Sequence, residues 1–334
     1  MILLTGGLGY LGSHMAARLV EEGHDVVLLD NLSNSNISVL HRLKQLVGRE
    51  IPFVQMDVRA KKQLQQIFEK FSVTSVVHFA GSKSVNESIS QPLDYYDNNV
   101  NGLISLLQVM KSTNVKTIVF SSTAAVYGEP ESLPIAEDAK QAPITPYGRS
   151  KQMCEFILQD LSRAERNWRI AVLRYFNPAG AHESGLIGEI PHGIPNNLMP
   201  YIAQVARAER PYLQVFGNDY ATIDGTGVRD YIHVQDLISG HSQAITWLSE
   251  QTEAFEILNL GRGEGISVMQ MLNAFSKAVG HDLPYQVVPR RQGDSASVYA
   301  DVTHAKRLLG WEAVRTVDDM AIDMWRFYQG LNAD

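Results

Sequence analysis

Tyr147 and Lys151 stand four residues apart in Thr145-Pro146-Tyr147-Gly148-Arg149-Ser150-Lys151. Pro146 suits the first turn of a helix, and Met153, Phe156, Ile157 and Leu161 supply an apolar face behind it, so the spacing predicts an amphipathic helix starting here. Residues four apart on a helix share a face. A free tyrosine has a pKa of about 10, and a cation held beside it favours the phenolate. A tyrosine tuned this way can take the proton of an alcohol while another group takes the hydride. The spacing alone also fits an ordinary helix, so the rest of the chain has to decide.

The chain opens with Ile2-Leu3-Leu4-Thr5, a short apolar run, followed by Gly6, Gly9 and Gly12 in a G-x-x-G-x-x-G loop. Leu11, Met15 and Leu19 then mark a helix that Gly23 can stop, and residues 24–30 read as a second buried strand ending in Asp30. Glycines in such a loop allow a sharp turn, a close approach of backbone to pyrophosphate and tight helix–strand packing. Strand, loop, helix and terminal acid together predict a dinucleotide site. Asp30 would bond the ribose hydroxyls and repel a 2′-phosphate. No arginine lies in the loop or just after Asp30, so NAD is expected rather than NADP. Asp30 could instead cap the following helix. Gly-Lys-Ser/Thr occurs nowhere, which excludes a P-loop.

Further strands are predicted at Ile51–Met56, Ser75–Phe79, Lys116–Ser121, Arg169–Arg174 and Phe255–Leu260, with helices near 61–71, 93–112 and 152–166 between them. This alternation predicts a doubly wound, Rossmann-like parallel α/β sheet. After Asn177 the alternation fades, which predicts a smaller, less regular α/β substrate lobe. The boundaries expected are 1–176 and 177–334, with about 229–262 returning to the first unit. Ligands of such sheets lie beyond the carboxyl ends of the strands. Those ends are Asp57-Val58, Phe79-Ala80-Gly81, Ser121-Ser122-Thr123 and Tyr175-Phe176-Asn177. Asp57 suits an adenine amino group, Ala80 and Gly81 let a cofactor lie close, and Thr123 offers a hydroxyl near nicotinamide and substrate. One such end could be a plain turn; four on one edge favour a site. In the lobe, Arg229 and Arg291 are candidates to hold phosphates, with ordinary surface arginines as the competing reading.

Net charge is −7 from 29 basic and 36 acidic residues, without a long single-sign run, which argues against nucleic acid or an anionic membrane as the main partner. The single cysteine, Cys154, excludes an internal disulfide and reads as a core thiol. The ten histidines show no metal-site spacing, so no metal is expected and His233 reads as structural. No apolar run reaches the roughly 20 residues that span a bilayer. Met1 leads straight into Ile2 without a charged leader, so a soluble, cytoplasmic protein is expected.

The chain resembles the UDP-glucose (UDP-galactose) 4-epimerases of the extended short-chain dehydrogenase/reductase superfamily over nearly its whole length. The matching segments are Thr-Gly-Gly-x-Gly-Tyr-x-Gly at 5–12, Leu-Asp-Asn-Leu at 29–32, His-Phe-Ala-Gly-x-Lys at 78–83 and Tyr-Tyr-Asp-Asn-Asn-Val-Asn-Gly at 95–102. They continue with Tyr-Gly-x-Ser-Lys at 147–151, Leu-Arg-Tyr-Phe-Asn-Pro at 173–178, Gly-Ile-Pro-Asn-Asn-Leu-Met-Pro at 193–200 and Gly-Thr-Gly-Val-Arg-Asp-Tyr-Ile-His-Val at 225–234. The glycine loop and Tyr-x-x-x-Lys mark only the superfamily; the later segments are more specific.

The resemblance implies NAD-dependent interconversion of UDP-glucose and UDP-galactose through a 4-keto sugar. Tyr147 is the implied acid/base, Lys151 lowers its pKa while holding the nicotinamide ribose, and Thr123 replaces a serine usual in the family. The nicotinamide's positive charge is the implied second cation. Bringing the phenol from about 10 to near 7 needs roughly 4 kcal/mol. Tyr10, Leu11, Asp30, Asn31, Ser33, Asn34, Ser35, Asp57, Val58, Phe79, Ala80, Lys83, Asn98 and Phe176 match cofactor contacts. Lys83, Asn177, Asn197, Leu198, Phe216, Arg229, Arg291, Asp294 and Val298 match contacts to the UDP-sugar. Val298 falls where a tyrosine restricts the family to glucose and galactose, so the N-acetylated pair is expected to be accepted too, although a one-place slip would put Tyr299 there. Helices near 95–112 and 150–166 resemble the pair that builds a homodimer. A sugar-nucleotide 4,6-dehydratase is the alternative, but it would carry Asp-Glu after Thr123, where this chain has Ala124-Ala125. A catalytically inactive NAD-sensing protein is the other, and it would be expected to lack Tyr147 or Lys151.

Overall fold

The computed structural model describes residues 1–191, 193, 195–291 and 294–331. Ile194, which belongs to a motif segment named above, lies outside them. The first six strands are β1 (Ile2–Thr5), β2 (Val26–Asp30), β3 (Phe53–Gln55), β4 (Ser75–His78), β5 (Thr117–Thr123) and β6 (Arg169–Tyr175). There follow β7 (Asn177–Ala179), β8 (Leu213–Phe216), β9 (Val228–Arg229), β10 (Tyr231–His233) and β11 (Ala254–Leu260), then β12 (Ile266–Ser267), β13 (Tyr285–Val288) and β14 (Ser297–Val298).

Seven strands form one all-parallel sheet in the order β11-β6-β5-β4-β1-β2-β3. β1, β2, β4 and β5 are buried along their whole length, as expected of strands covered on both faces. Their side chains alternate between two cores. Ile2, Leu4 and Leu28 face the helices Tyr10–Glu21 and Val234–Ser249, whereas Leu3, Val27 and Phe120 face the helices 61–70, 102–112 and 146–164. The strand order reverses beside β1, between β4 and β2. A crevice opens there at the carboxyl ends, where sheets of this kind take their ligands.

The helix near 93–112 differs from expectation. It is broken into Pro92–Tyr95, a π-helical turn at Tyr96–Asn101 and Gly102–Ser112. A π turn adds a residue without changing the apolar pattern, so periodicity does not reveal it. It carries Asn98 and Asn99, whose side chains both bond Ser82 in the loop after β4. Asn99 is buried, accepts a bond from Ser82 N and donates to Ser82 O and Ser150 Oγ.

Beyond β6 the short strands β7–β10 and β12–β14 pair in three small sheets around a separate apolar core that includes Met199, Phe275, Met324 and Phe327. β11 returns to the main sheet alongside β6. Asp230 ties the returning chain to the lobe, accepting bonds from the backbone of Arg262, Gly263 and Ala300 at 2.7–3.1 Å.

Candidate active site

The helix Pro146–Ala164 begins with proline at its first turn, and Thr145 caps it through a bond from Gly148 N at 3.2 Å. The cap fixes the start of the helix, so Tyr147 and Lys151 are both buried on the face that meets β5. Thr123 ends β5, and its hydroxyl is close enough to Tyr147 to pull the phenol's pKa down. Burial, the larger effect, holds that pKa above its ordinary value. The Lys151 ammonium donates to Ser121 O at 2.9 Å and lies 4.8 Å from the centre of the Phe120 ring. Burial pushes the pKa of Lys151 down, with Cys154 and then Glu155 opposing it. A backbone carbonyl at a strand end leaves no trace in a sequence, so this anchoring was not legible.

Behind this trio stands a polar network that motif reading passed over. Glu155, two turns beyond Tyr147, is buried with Arg174 of β6; Arg174 Nη2 donates to Glu155 at 2.7 Å and Nε at 3.0 and 3.2 Å. Ser122 also donates to Glu155. Arg174 Nη1 reaches Tyr127 Oη and Glu137 O, so one ion pair joins β5, β6, the catalytic helix and the excursion between them. Two signals could have found it: a charge inside an apolar strand, and an acid on the same helix face as Tyr147 and Lys151. Cys154 is buried, its thiol pushed up to about 12 by burial. His233 is buried against Asp323 at 3.2 Å.

The glycine loop forms the crevice wall. Gly6 adopts φ 69°, and a Cβ there would stand 2.8 Å from Ala80 N; on Gly12 it would lie 2.1 Å from Gly6 O. Gly9 caps the helix Tyr10–Glu21 without a side-chain bond, leaving its first N–H groups to face the crevice. Asp30 does not cap a helix. Its carboxylate accepts Leu8 N at 3.1 Å, Leu32 N at 2.9 Å and Ser35 Oγ at 2.8 Å, so about one of its roughly four lone-pair positions remains for a ligand. Asn31 accepts Ser33 N and donates to Asp57, which Arg59 holds down to about 2. These features fit an NAD: a cradle closed to any Cβ, free helix N–H groups and an acid with one position to spare.

Around the same crevice, Asn98 donates to Ser82 Oγ, Phe79 packs 5.0 Å from the His241 ring, and Val58 and Phe176 are buried. Gly81 is exposed at the rim; a Cβ on it would lie 3.5 Å from Lys151 Nζ. Leu11 is half-buried, Asn34 belongs to the turn after β2, and Leu198 begins the helix Leu198–Ala206 beside Asn197. Asn177 heads β7 and donates its N–H to Asp230 O. On the lobe side four residues come together. The Arg291 guanidinium lies 4.6 Å from the centre of the Phe216 ring and bonds Asp294 at 2.8 Å, while Arg229 sits 3.7 Å from the same Asp294. Val298 joins the apolar cluster of Ala124, Val126 and Phe176. Tyr299 instead packs where a Cβ on Gly265 would meet it at 3.2 Å.

A family model described as GDP-mannose 4,6 dehydratase matches residues 3–324. The UDP-glucose 4-epimerase of Neisseria meningitidis serogroup C is 51% identical over 327 residues, covering 98% of this chain and 96% of that one. The chain belongs to the UDP-glucose 4-epimerase family. The human UDP-glucose 4-epimerase is 50% identical over 333 residues, covering 98% of this chain and 95% of its own. A solved UDP-glucose 4-epimerase of Stenotrophomonas maltophila, with bound NAD and formylated UDP-arabinopyranose, superposes with a TM-score of 0.97 at 47% identity over 99% of this chain and 98% of that one. Membership of the family and the Rossmann-like fold therefore stand on independent grounds. Among the described residues, no helix is long and apolar enough to cross a membrane.

Proposed function

We propose that this protein is an NAD-dependent UDP-hexose 4-epimerase that interconverts UDP-glucose and UDP-galactose. The observation that carries the reading is Tyr147, buried beside Thr123 at the end of β5, on a helix whose Lys151 is fixed one turn away. Thr123 orients the reacting hydroxyl, and Tyr147 removes its proton and later returns it to the same oxygen, once the turned sugar has presented its opposite face for hydride return. Bound nicotinamide supplies hydride exchange at C4. Burial raises the phenol's pKa, so proton removal waits until positive charge is close, which ties the chemistry to a loaded site. The 4-keto sugar turns while its diphosphate stays held by Arg229 and Arg291, with Phe216 and Asn197 lining the nucleotide side. Residues 1–176, with 229–262 returning, hold the cofactor, and 177–334 hold the sugar nucleotide.

Ala124 and Ala125 follow Thr123 in a short 3-10 turn. A 4,6-dehydratase needs an acid and base at that place, so epimerisation is favoured over the family model's description. Val298, packed with Ala124 and Phe176, is far smaller than a tyrosine, which supports the N-acetylated UDP-hexoses as substrates as well. Ile89, Leu93, Met153 and Phe156 are exposed on neighbouring helices, which supports a homodimer through that face. Sedimentation at a single chain's mass would refute the dimer. The site of action is the cytoplasm.

The test of function is direct. The purified protein, given UDP-galactose without added reductant, should form UDP-glucose, and the reverse reaction should reach the same ratio. Release of a 4-keto-6-deoxy sugar instead would make it a dehydratase.

A further inference from the structure

The floor of the crevice holds a carboxylate that the chemistry above leaves unused. Glu189 is 5% exposed, and its Oε1 accepts a bond from Lys83 Nζ at 2.6 Å. Asn197 Nδ2 donates to both of its oxygens, at 2.8 and 3.1 Å. The backbone behind it is fixed: Tyr328 Oη donates to Glu189 O at 3.3 Å, and a Cβ on the adjoining Gly188 would lie 2.4 Å from the Phe327 ring. The carboxylate therefore stands on the rigid core of the lobe, while both of its partners are exposed to the cleft.

Those partners come from opposite sides. Lys83 lies in the loop after β4, part of the main sheet, whereas Asn197 caps the helix Leu198–Ala206 of the lobe. The glycine-loop helix touches the same neighbourhood, because Tyr10 Oη donates to Gly180 O at 2.6 Å and the charge of Glu189 bears on Tyr10. An unpaired acid here would repel two anionic ligands. Paired with Lys83 it is neutralised, and it fixes where the ammonium and the amide point.

We infer that Glu189 is a positioning residue that links the two ligands: it sets Lys83 and Asn197 as one unit, so that the grip on the sugar nucleotide depends on the lysine through the acid. The inference rests on the proposed function. Glutamine at 189 keeps the shape, but it carries no charge to neutralise the ammonium, and in place of the second oxygen it meets the Asn197 amide with a donor.

The experiment measures UDP affinity calorimetrically, without turnover, on the protein as purified with its cofactor, in a cycle of Lys83→Met, Glu189→Gln and the double variant. Glu189→Gln is expected to weaken UDP about tenfold, and Lys83→Met to weaken it severalfold in the parent but less than twofold in the Gln background. Independent, multiplying effects would overturn the inference, as would unchanged affinity in Glu189→Gln. If that variant does not fold, Glu189→Asp, with the charge kept but withdrawn by one methylene, should still weaken UDP several-fold, and unchanged affinity there would overturn it equally. A parent protein that binds no UDP at all would instead refute the proposed function.

Discussion

Glu155 and Arg174 meet inside the protein, each 1–2% exposed, on the helix that carries Tyr147 and on β6 beside β5. Charges withdrawn from water gain little net stability as a pair, but one left alone is costly. Arg174→Met should therefore destabilise the fold by roughly 3–5 kcal/mol in urea unfolding, and Glu155→Met/Arg174→Met should recover most of that loss. The double variant should nonetheless remain slow, because Ser122 and Glu137 lose the partner that sets the catalytic helix against β5. Full activity in the double variant would show the pair to be dispensable filling.

On the proposed function, Val298 decides which hexoses fit. Its side chain lies with Ala124, Val126 and Phe176. Val298→Tyr would fill that space, so turnover of UDP-N-acetylglucosamine should fall at least tenfold while that of UDP-glucose changes less than threefold. Equal losses on both sugars would place the determinant elsewhere.

Asp230 makes stability depend on pH. Burial pushes it up to about 6, with the backbone N–H groups of Arg262, Ala300 and Gly263 pulling the other way. Its unfolded value is about 3.9. The folded chain thus keeps this proton longer, and the contribution to stability is present below about 4 and lost as pH rises through about 6. A difference of about two units corresponds to roughly 3 kcal/mol. Asp230→Asn should flatten that segment of the stability–pH curve, measured by denaturant unfolding at several pH values. A curve parallel to the parent's would contradict the assignment.

Much of this site could be read in the residues themselves. Thr145-Pro146 marks a helix start because a cap and a fixed φ have sequence signatures, and Gly6, Gly12 and Asp30 mark their turn because only glycine tolerates those contacts. Lys151 was legible as a neighbour of Tyr147 but not as a donor to Ser121 O, since every residue carries that carbonyl. The π turn at Tyr96–Asn101 hides inside an unchanged apolar pattern. Strands of two to four residues in the lobe are too short to show a period, so Arg229, Asp294 and Arg291 could be suspected singly but not seen as neighbours. Glu189 is a single acid in a segment without periodicity; only its burial reveals it.

The most direct measurement is the rate of UDP-galactose conversion by Tyr147→Phe, with UDP affinity and bound NAD measured on the same preparation. General acid–base catalysis contributes about 10²–10⁴-fold. Turnover should fall about a thousandfold while both ligands bind as in the parent. Turnover within tenfold of the parent, with ligands bound, would contradict the role assigned to that phenol.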